Sequence, residues 1–340
     1  MSLRVSITDR AQRLSESALK IRPPFRVDPE LCLYSPQDNV DALAHPRIAD
    51  WMAFVTERYL PALPEAKRRI LLFMPCTKTK PYPFSSEHKA INQRLLQAGF
   101  RPMDRNPLPQ ELQAQLEDGF GQEVLDLSLL SDGKGTVIHR MVISEPMALV
   151  PYEHIARYEG KDSPAVAYDD PGLFENRGNA VAPWRADSTA EPVSATRWRW
   201  GAAEKRGYVT MHNAMARGVA AALERFGALY DARIAWVAPG LTHRSFVLSK
   251  AERPAHGIVG ARRVGAEVLP LEGVNDHLPE ELRIECLPLP EHCEDAKARL
   301  AARLGVPVAR VGGAWSRGGA NATPLALPEL LDALIARLAA

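Results

Sequence analysis

The chain has 340 residues, 46% of them hydrophobic and 24% charged, a composition typical of a globular protein with one large domain or two ordinary ones. Its 42 lysines and arginines nearly balance 41 aspartates and glutamates, and the net charge of +1 argues against binding of nucleic acid or membranes through bulk charge. No window approaches the roughly 18 apolar residues of a membrane helix, and the first residues lack the apolar stretch of a signal peptide. We therefore expect a cytoplasmic protein that does not enter the membrane.

Residues 1–66 are predicted to form an extended arm and one helix. In the helical part, residues 46–63, Ile48, Met52 and Leu60 fall on roughly one side. This segment has no cluster of titratable residues beside a strand end, so we expect it to carry no chemistry. Its apolar face is expected to cover a sheet edge or to form a contact between protomers.

Residues 67–263 alternate between strand-like and helix-like patterns and are predicted to form a catalytic core. Apolar runs of strand length occupy residues 68–76, 136–147 and 232–240, and helical patterns occupy residues 85–99 and 207–229. Buried strands that alternate with helices predict an α/β fold. We expect a mainly parallel sheet sandwiched by helices, in a Rossmann-like three-layer arrangement.

Residues 264–340 are predicted to be a C-terminal extension, α/β or helical, that packs on this core. Amphipathic helices are predicted at residues 295–305 and 327–340, with a glycine-rich loop at residues 312–324 between them. A glycine-rich loop can cradle an anion, but this one lacks the lysine and the strand–loop–helix context of a phosphate-binding loop.

The ends of the three predicted strands are polar, and ligands of parallel sheets bind in the crevice at the carboxyl ends of the strands. Cys76 follows the first strand and shortly precedes the helix at residues 85–99. A helix N-terminus and nearby cations, here Lys78 and Lys80, both stabilise a thiolate. Cys76 is therefore predicted to be a reactive nucleophile with a lowered pKa. The alternative interpretation is a small buried cysteine beside solvated lysines.

A motif around Cys76 favours the first interpretation. The pattern P-C-x3-K-P-Y-x2-S-x2-H is matched by Pro75, Cys76, Lys80, Pro81, Tyr82, Ser85 and His88. This pattern resembles the signature of the core catalytic domain of archaeosine synthase. A second block is similar to later segments of that family through Ser144, Pro146, Val150, Pro151, Tyr168, Asp169 and Pro171. The resemblance extends approximately over residues 68–260.

The resemblance implies an enzyme with related chemistry. Archaeosine synthase adds the amine of lysine to the nitrile of a 7-cyano-7-deazaguanine base held in tRNA, and the product is an amidine. The archaeal enzymes carry further transglycosylase-like domains and a PUA domain, and this chain is too short for that set, so we expect a standalone relative. The implied partners are a 7-deazaguanine base, nucleoside or tRNA, an amino-acid amine donor, and either further copies of the chain or an RNA-binding subunit. Whether the base is free, in tRNA or in DNA stays open.

The residues of the motif suit this reaction. Cys76 as a thiolate can attack the nitrile carbon and form a thioimidate, and direct attack by the amine, with Cys76 only shaping the pocket, also agrees with the residues. Lys80 or His88 would protonate the nitrile nitrogen, and Asp169 or His88 would accept the proton of the incoming amine. The residues predicted to contact the substrate are Tyr82, Ser85, Ser144, Pro146 and Tyr168. Ser85 also suits a helix cap, and Asp169 also suits a turn.

Other polar clusters give weaker signals. Residues 243–256 include His243, Arg244, Lys250 and His256. These residues suit a bound phosphate or carboxylate, although a solvated loop is the preferred interpretation. Residues 197–200 alternate arginine and tryptophan, which suits stacking on a nucleobase and equally suits ordinary surface packing. Cys286, His292 and Cys293 lack a fourth ligand at a fitting spacing, so neither a metal nor a cofactor is expected.

Two functions of different classes remain open. The first is the enzyme described above, and the second is a binding module that recognises a modified base or nucleic acid without chemistry. Cys76, Lys80 and His88 together favour the enzyme, because recognition alone does not need a nucleophile. The nearly neutral charge argues against tight nucleic-acid binding by this chain alone.

Overall fold

The computed structural model describes residues 8–170, 180–194, 197–239, 243–316 and 323–340. The strands in these ranges are β1 (Arg68–Pro75), β2 (Arg101–Pro102), β3 (Leu130–Ser131), β4 (Thr136–Ser144), β5 (Ala148–Pro151), β6 (Arg157–Tyr158), β7 (Lys161–Asp162), β8 (Glu191–Ser194), β9 (Arg197–Arg199), β10 (Ala232–Trp236), β11 (Ala261–Val264), β12 (Glu267–Pro270) and β13 (Glu285–Leu287). The α-helices are α1 (Arg10–Lys20), α2 (Pro36–Ala42), α3 (Pro46–Ala53), α4 (Ser86–Gln97), α5 (Gln110–Gln113), α6 (Ala202–Phe226), α7 (His243–Val247), α8 (Val274–His277), α9 (Pro290–Leu304), α10 (Gly312–Ser316) and α11 (Pro328–Ala339).

The central sheet has the strand order β13–β10–β1–β4–β3–β2, and β5 also pairs with β4. Strands β13, β10, β1 and β4 run parallel, whereas β2, β3 and β5 pair antiparallel. The predicted α/β class with a mostly parallel central sheet flanked by helices is therefore confirmed. The three predicted strands are β1, β4 and β10, and they lie side by side at the centre of the sheet.

Strand β1 shows why the centre of the sheet is so well specified by sequence. Its residues 70–74 are all fully buried, and only the two arginines at its start are partly exposed. A strand covered on both faces needs a continuous apolar run rather than an alternating one, and each such side chain stabilises the fold by roughly 1.5–3 kcal/mol. The ladder continues one residue beyond the strand, because the backbone N–H of Cys76 donates to the Ile143 carbonyl at 3.1 Å.

Strand β4 buries two side chains with ring or guanidinium nitrogens, His139 and Arg140, and each of them has partners. The Arg140 guanidinium is 1% exposed and donates to the side-chain oxygen of Asn92 and to the carbonyls of Asp126 and Ser128 at 2.7–2.9 Å. His139 contacts the Tyr230 hydroxyl at 2.6 Å. Arg140 thus ties β4 to α4 and to the segment before β3, which positions the strand that leads into the site.

Arg140→Met should destabilise the protein by about 3 kcal/mol, because it leaves three buried oxygens without a donor. The midpoint of urea unfolding measures this. Arg199→Met is the matched control, since Arg199 is exposed and pairs with Glu191 at 2.9 Å across the antiparallel strands β8 and β9, where an ion pair contributes little. Equal losses in the two variants would contradict the structural role assigned to Arg140.

The predicted helices are present, with shifted ends, and the arm that the sequence predicts to be extended also contains α1 and α2. Ser85 caps α4, because its Oγ accepts from the backbone N–H of His88 at 3.2 Å, and Gly99 follows with a φ of +98°, the left-handed conformation that favours glycine. The helix predicted at residues 46–63 is α3 followed by one π-helical turn, Phe54–Arg58. On the described residues, no helix has both the length and the apolar character needed to cross a bilayer.

The two ends of the chain both contribute to the core region. In the arm, the Lys20 carbonyl accepts from the backbone N–H of Lys80 at 3.0 Å, and Arg22 N–H donates to the Lys80 carbonyl at 2.9 Å. At the other end, β13 extends the sheet beside β10, and the Trp236 indole donates to the Leu325 carbonyl at 3.2 Å. The predicted helices of this part correspond to α9 and α11, and residues 317–322 of the glycine-rich loop lie outside the described residues.

Candidate active site

A cavity of about 340 Å³ opens where β1 and β10 end. Its lining comes from the end of β1 (Pro75), the loop that follows (residues 76–80), the residues around the start of α4 (85–87), Asp170, Ala238 and His243, together with Thr323 and Leu325 of the C-terminal part. Its volume lies within the range of small-molecule sites, roughly 300–1,000 Å³. The expectation of a site at the strand ends therefore corresponds to a cavity of suitable size.

Three donor atoms from three different segments converge beside this cavity, and two of the three residues, Cys76 and His243, line it. Cys76 Sγ lies 3.2 Å from His243 Nε2 and 3.7 Å from Glu145 Oε2, and the latter two atoms are 3.9 Å apart. Cys76 follows β1, Glu145 follows β4 and His243 begins α7 after β10. Neighbouring parallel strands bring their carboxyl ends together, which explains how residues distant in sequence meet here.

Glu145 and His243 are both deeply buried, with side chains 3% exposed. Burial lowers the pKa of His243 to about 4, against an opposing effect of Asp170. The ring is therefore neutral near pH 7 and able to accept a proton or a metal ion. The interpretation of this segment as a solvated loop is wrong for His243 and for Arg244, whose guanidinium donates to the carbonyls of Val237 and Pro288 at 2.9 and 2.7 Å.

Lys80 lines the cavity but is 1% exposed. Its ammonium donates to the Thr77 carbonyl and lies 4.3 Å from the centre of the Tyr168 ring and 5.3 Å from that of Tyr82. The aromatic faces offer negative potential that stabilises the cation. A fixed ammonium at the wall of a small cavity can stabilise negative charge that develops on a bound ligand.

His88 does not face the cavity. Its Nε2 donates to the Pro75 carbonyl at 2.8 Å, so its Nδ1 accepts from the Tyr152 hydroxyl at 2.6 Å. Both ring nitrogens are occupied, and burial lowers the pKa of His88 to about 3. His88 therefore fixes the end of β1 next to Cys76. It is not placed to exchange protons with a ligand in the cavity, although the sequence predicts that role for it.

His88 should make stability depend on pH. Because its pKa falls from the ordinary 6.5 to about 3 in the folded protein, only the unfolded state takes up this proton as the pH drops below 6.5. The free energy of unfolding should then fall by about 1.4 kcal/mol per pH unit from this residue alone, down to about pH 3. The difference in unfolding free energy between the wild type and His88→Gln, followed from pH 7 to pH 4, should shrink by that slope. A constant difference would show that folding does not lower the pKa of His88.

Asp169 and Asp170 point to different surroundings. The Asp169 carboxylate is turned toward the arm, where it pairs with the Lys20 ammonium at 2.5 Å and accepts from the Ser17 hydroxyl at 2.7 Å. Asp170 is the residue that lines the cavity beside Cys76. The structure thus does not bring Asp169 together with Cys76, so Asp169 is not placed for the proton-accepting role that the sequence predicts for it. The second-block residue Pro171 lies outside the described residues.

Most of the residues predicted to contact the substrate are buried next to the cavity and do not line it. Tyr82, Ser144 and Tyr168 are fully buried and form a closed set of hydroxyl contacts at 2.5–2.9 Å. Burial raises the pKa of both tyrosines, so the phenols stay protonated. Pro146 is buried in the turn after Glu145. Of the five residues, Ser85 is the one that lines the cavity, and it also caps α4.

Sequence reasoning missed Glu145 and Asp170 and gave His243 little weight. Glu145 stands between Ser144 and Pro146, so the resemblance points to this turn but not to its carboxylate. Neighbours along extended backbone point to opposite sides, and the pair Asp169 and Asp170 cannot be resolved without the three-dimensional fold. The side chains that His243 contacts, Cys76 and Glu145, are distant in sequence, so no local motif identifies it as a site residue.

Among the described residues, the donors that converge closely enough to hold a metal ion are Cys76, Glu145 and His243, all within 4.8 Å of one another. Cys286 and Cys293 are buried free thiols, and the Nδ1 of His292 accepts from the backbone N–H of Leu289 at 3.1 Å. The arrangement at the cavity can support either nucleophilic cysteine chemistry or metal coordination.

In comparisons with known proteins, the chain matches no family model, no curated protein and no solved structure. The chemistry of the cavity is therefore argued from its own residues. The residues that line the cavity include the Cys76 thiol, the neutral His243 imidazole, the Asp170 carboxylate and the buried Lys80. The Glu145 carboxylate lies next to this lining, 3.7 Å from the thiol and 3.9 Å from the imidazole.

Proposed function

We propose that this chain is an enzyme that joins an amine to the nitrile carbon of a 7-deazaguanine-type base and forms an amidine, as its resemblance to archaeosine synthase implies. The observation that carries the proposal is the 3.2 Å contact between Cys76 Sγ and His243 Nε2 at the cavity wall. A thiol beside an unprotonated imidazole is the arrangement of nucleophilic cysteine enzymes. A Rossmann-like three-layer core and a cytoplasmic location belong to the same proposal.

The first step makes a covalent intermediate. The Cys76 thiol transfers its proton to His243 Nε2 while the sulfur adds to the nitrile carbon, so that one C–S bond forms and one C–N π bond breaks. The nitrile nitrogen takes the proton back from the imidazolium, which gives a neutral thioimidate. Lys80, which lines the cavity, is assigned to stabilise the negative charge that develops on this nitrogen.

The second step releases the product. The nitrogen of the amine adds to the thioimidate carbon, the C–S bond breaks, and the sulfur leaves as a thiolate. One proton of the amine returns to the thiolate, so the net reaction is the sum of nitrile and amine. Asp170 faces the cavity beside Cys76 and is assigned to hold the amine donor and pass on its proton. It replaces Asp169 and His88 in this role.

The size of the cavity supports a base or nucleoside as the substrate. About 340 Å³ accommodates a small molecule, whereas a base in tRNA would have to be flipped out of its strand to enter. The net charge of +1 adds no strong attraction for RNA. We therefore place free base or nucleoside first, and an RNA substrate would need a further subunit to supply the phosphate contacts.

The test is to incubate the protein with 7-cyano-7-deazaguanine as free base, as nucleoside and in tRNA, each with a mixture of amino acids, and to follow products by mass spectrometry. A product whose mass is the sum of base and amine is expected, because the addition loses no atoms. Binding of the base without any mass change would favour the non-catalytic module. Failure of every nitrile base to bind or react would overturn the proposal.

A further inference from the structure

We propose that Cys76, Glu145 and His243 bind a zinc ion beside the cavity that Cys76 and His243 line, and that a bound zinc blocks the covalent use of Cys76. The metal site stands on the geometry of the three side chains. Only its consequence for catalysis rests on the proposed function.

The first observation is the way in which the three donors converge. In a Cys–His–acid relay, the carboxylate binds the ring nitrogen that does not face the nucleophile. Here Sγ of Cys76 and Oε2 of Glu145 approach the same nitrogen, His243 Nε2, at 3.2 and 3.9 Å. Donors that surround one common point are typical of coordination of an ion.

The second observation is the size of the triangle that these atoms form. Its sides are 3.2, 3.7 and 3.9 Å. Tetrahedral zinc with bonds of about 2.3 Å to sulfur and about 2.0–2.2 Å to nitrogen and oxygen requires separations of about 3.3–3.6 Å between its ligands. Shifts of a few tenths of an ångström in the side chains therefore suffice to seat the ion.

The third observation is the balance of charge. A thiolate and a carboxylate together neutralise Zn²⁺, and a neutral imidazole completes the set. Without a cation, a thiolate formed 3.7 Å from the Glu145 carboxylate, in a group that is 3% exposed, would place two negative charges side by side. Sulfur and nitrogen donors select zinc over magnesium or calcium. The cavity next to Cys76 and His243 offers space for water or substrate as the fourth ligand, as in catalytic zinc sites.

The same sulfur lone pair cannot bind zinc and attack a nitrile at the same time. The metal-free protein is therefore the form that makes the thioimidate, and zinc is expected to hold the thiol in an unreactive state. This predicts that zinc protects Cys76 from alkylation, a property that does not depend on any nitrile substrate.

The test uses the full chain. The protein is loaded with Zn²⁺, freed of excess metal and analysed for metal content, and a second sample is titrated with Co²⁺ to detect the thiolate-to-cobalt charge-transfer absorption. One ion per chain is expected, with loss of the charge-transfer absorption in Cys76→Ser and of tight binding in Glu145→Gln and His243→Gln. Cys293→Ala is the control, because Cys293 is a buried cysteine outside the cavity. This variant should bind one metal ion per chain, as the wild type does.

A second test measures alkylation of Cys76 in the wild-type protein. It requires no substitution, so a variant that fails to fold cannot affect the result. Iodoacetamide should modify Cys76 at least tenfold more slowly with zinc present, and a chelator should restore the rate. No bound metal, a cobalt absorption that survives Cys76→Ser, or labelling unaffected by zinc would each overturn the metal site. Turnover of a nitrile base that rises with zinc would overturn the proposed block. Absence of any turnover together with tight zinc binding would instead count against the proposed function alone.

Discussion

Cys76→Ala should lower turnover of a 7-cyano-7-deazaguanine substrate by roughly 10⁴-fold or more, the loss seen when a covalent enzyme is deprived of its nucleophile. The physical reason is that the thiolate divides one difficult addition to a weak electrophile into two easier steps. The variant should still fold, because Cys76 is only partly buried and alanine removes a single atom. Turnover under substrate-saturating, metal-free conditions is the measurement.

The covalent intermediate provides a second readout of the same prediction. When the amine is withheld, intact-protein mass spectrometry should show wild-type protein carrying the mass of the nitrile base, and the adduct should disappear when the amine is supplied. The adduct should be absent in Cys76→Ala and present in Cys293→Ala, which removes a buried thiol from α9. Full turnover by Cys76→Ala would mean that the amine attacks the nitrile directly and that Cys76 only shapes the pocket.

His243→Gln should lower turnover by roughly 10²–10⁴-fold, the usual contribution of a general base. Glutamine keeps much of the shape of histidine and can still contact the Cys76 sulfur, but it cannot take up the thiol proton. The predicted loss lies in formation of the adduct, so single-turnover mass spectrometry should show slow accumulation of the thioimidate. Binding of the base should change little, because His243 acts on the thiol rather than on the ligand.

His277→Gln is the matched control for this experiment. His277 is 33% exposed and pairs with Glu272 at 3.1 Å on the outer part of the molecule. This variant should retain wild-type turnover. If His243→Gln formed the adduct as fast as His277→Gln, the 3.2 Å contact with Cys76 would be a packing contact and the general base would have to be sought among the carboxylates of the site.

The fold could be predicted well from the sequence where local patterns dominate. Strand β1 is a continuous apolar run with a proline at its end, and helix α4 begins at a serine cap and is followed by a glycine in the left-handed conformation. Such signals act over a few residues and do not depend on distant parts of the chain. Strand β13 was not predicted, because three residues that lie at the edge of a sheet carry no pattern of their own.

Most of what could be predicted of the site lies in the segment that contains Cys76. Cys76, Lys80 and Ser85 belong to one contiguous motif, and all three line the cavity. His88 belongs to the same motif, but its ring faces the Pro75 carbonyl and Tyr152, because the orientation of a helical side chain depends on what packs against the helix.

Along the chain itself, residue patterns determined the α/β class, the three central strands and the presence of a cysteine next to a helix start. The tertiary structure decided which groups surround that cysteine. Glu145 and His243 lie 69 and 167 residues from Cys76 in sequence, and they reach it because parallel strands place all their carboxyl ends on one edge of the sheet. The arm likewise determines which of the two neighbouring aspartates lines the cavity. Its Lys20 and Ser17 bind the Asp169 carboxylate, and Asp170 lines the cavity.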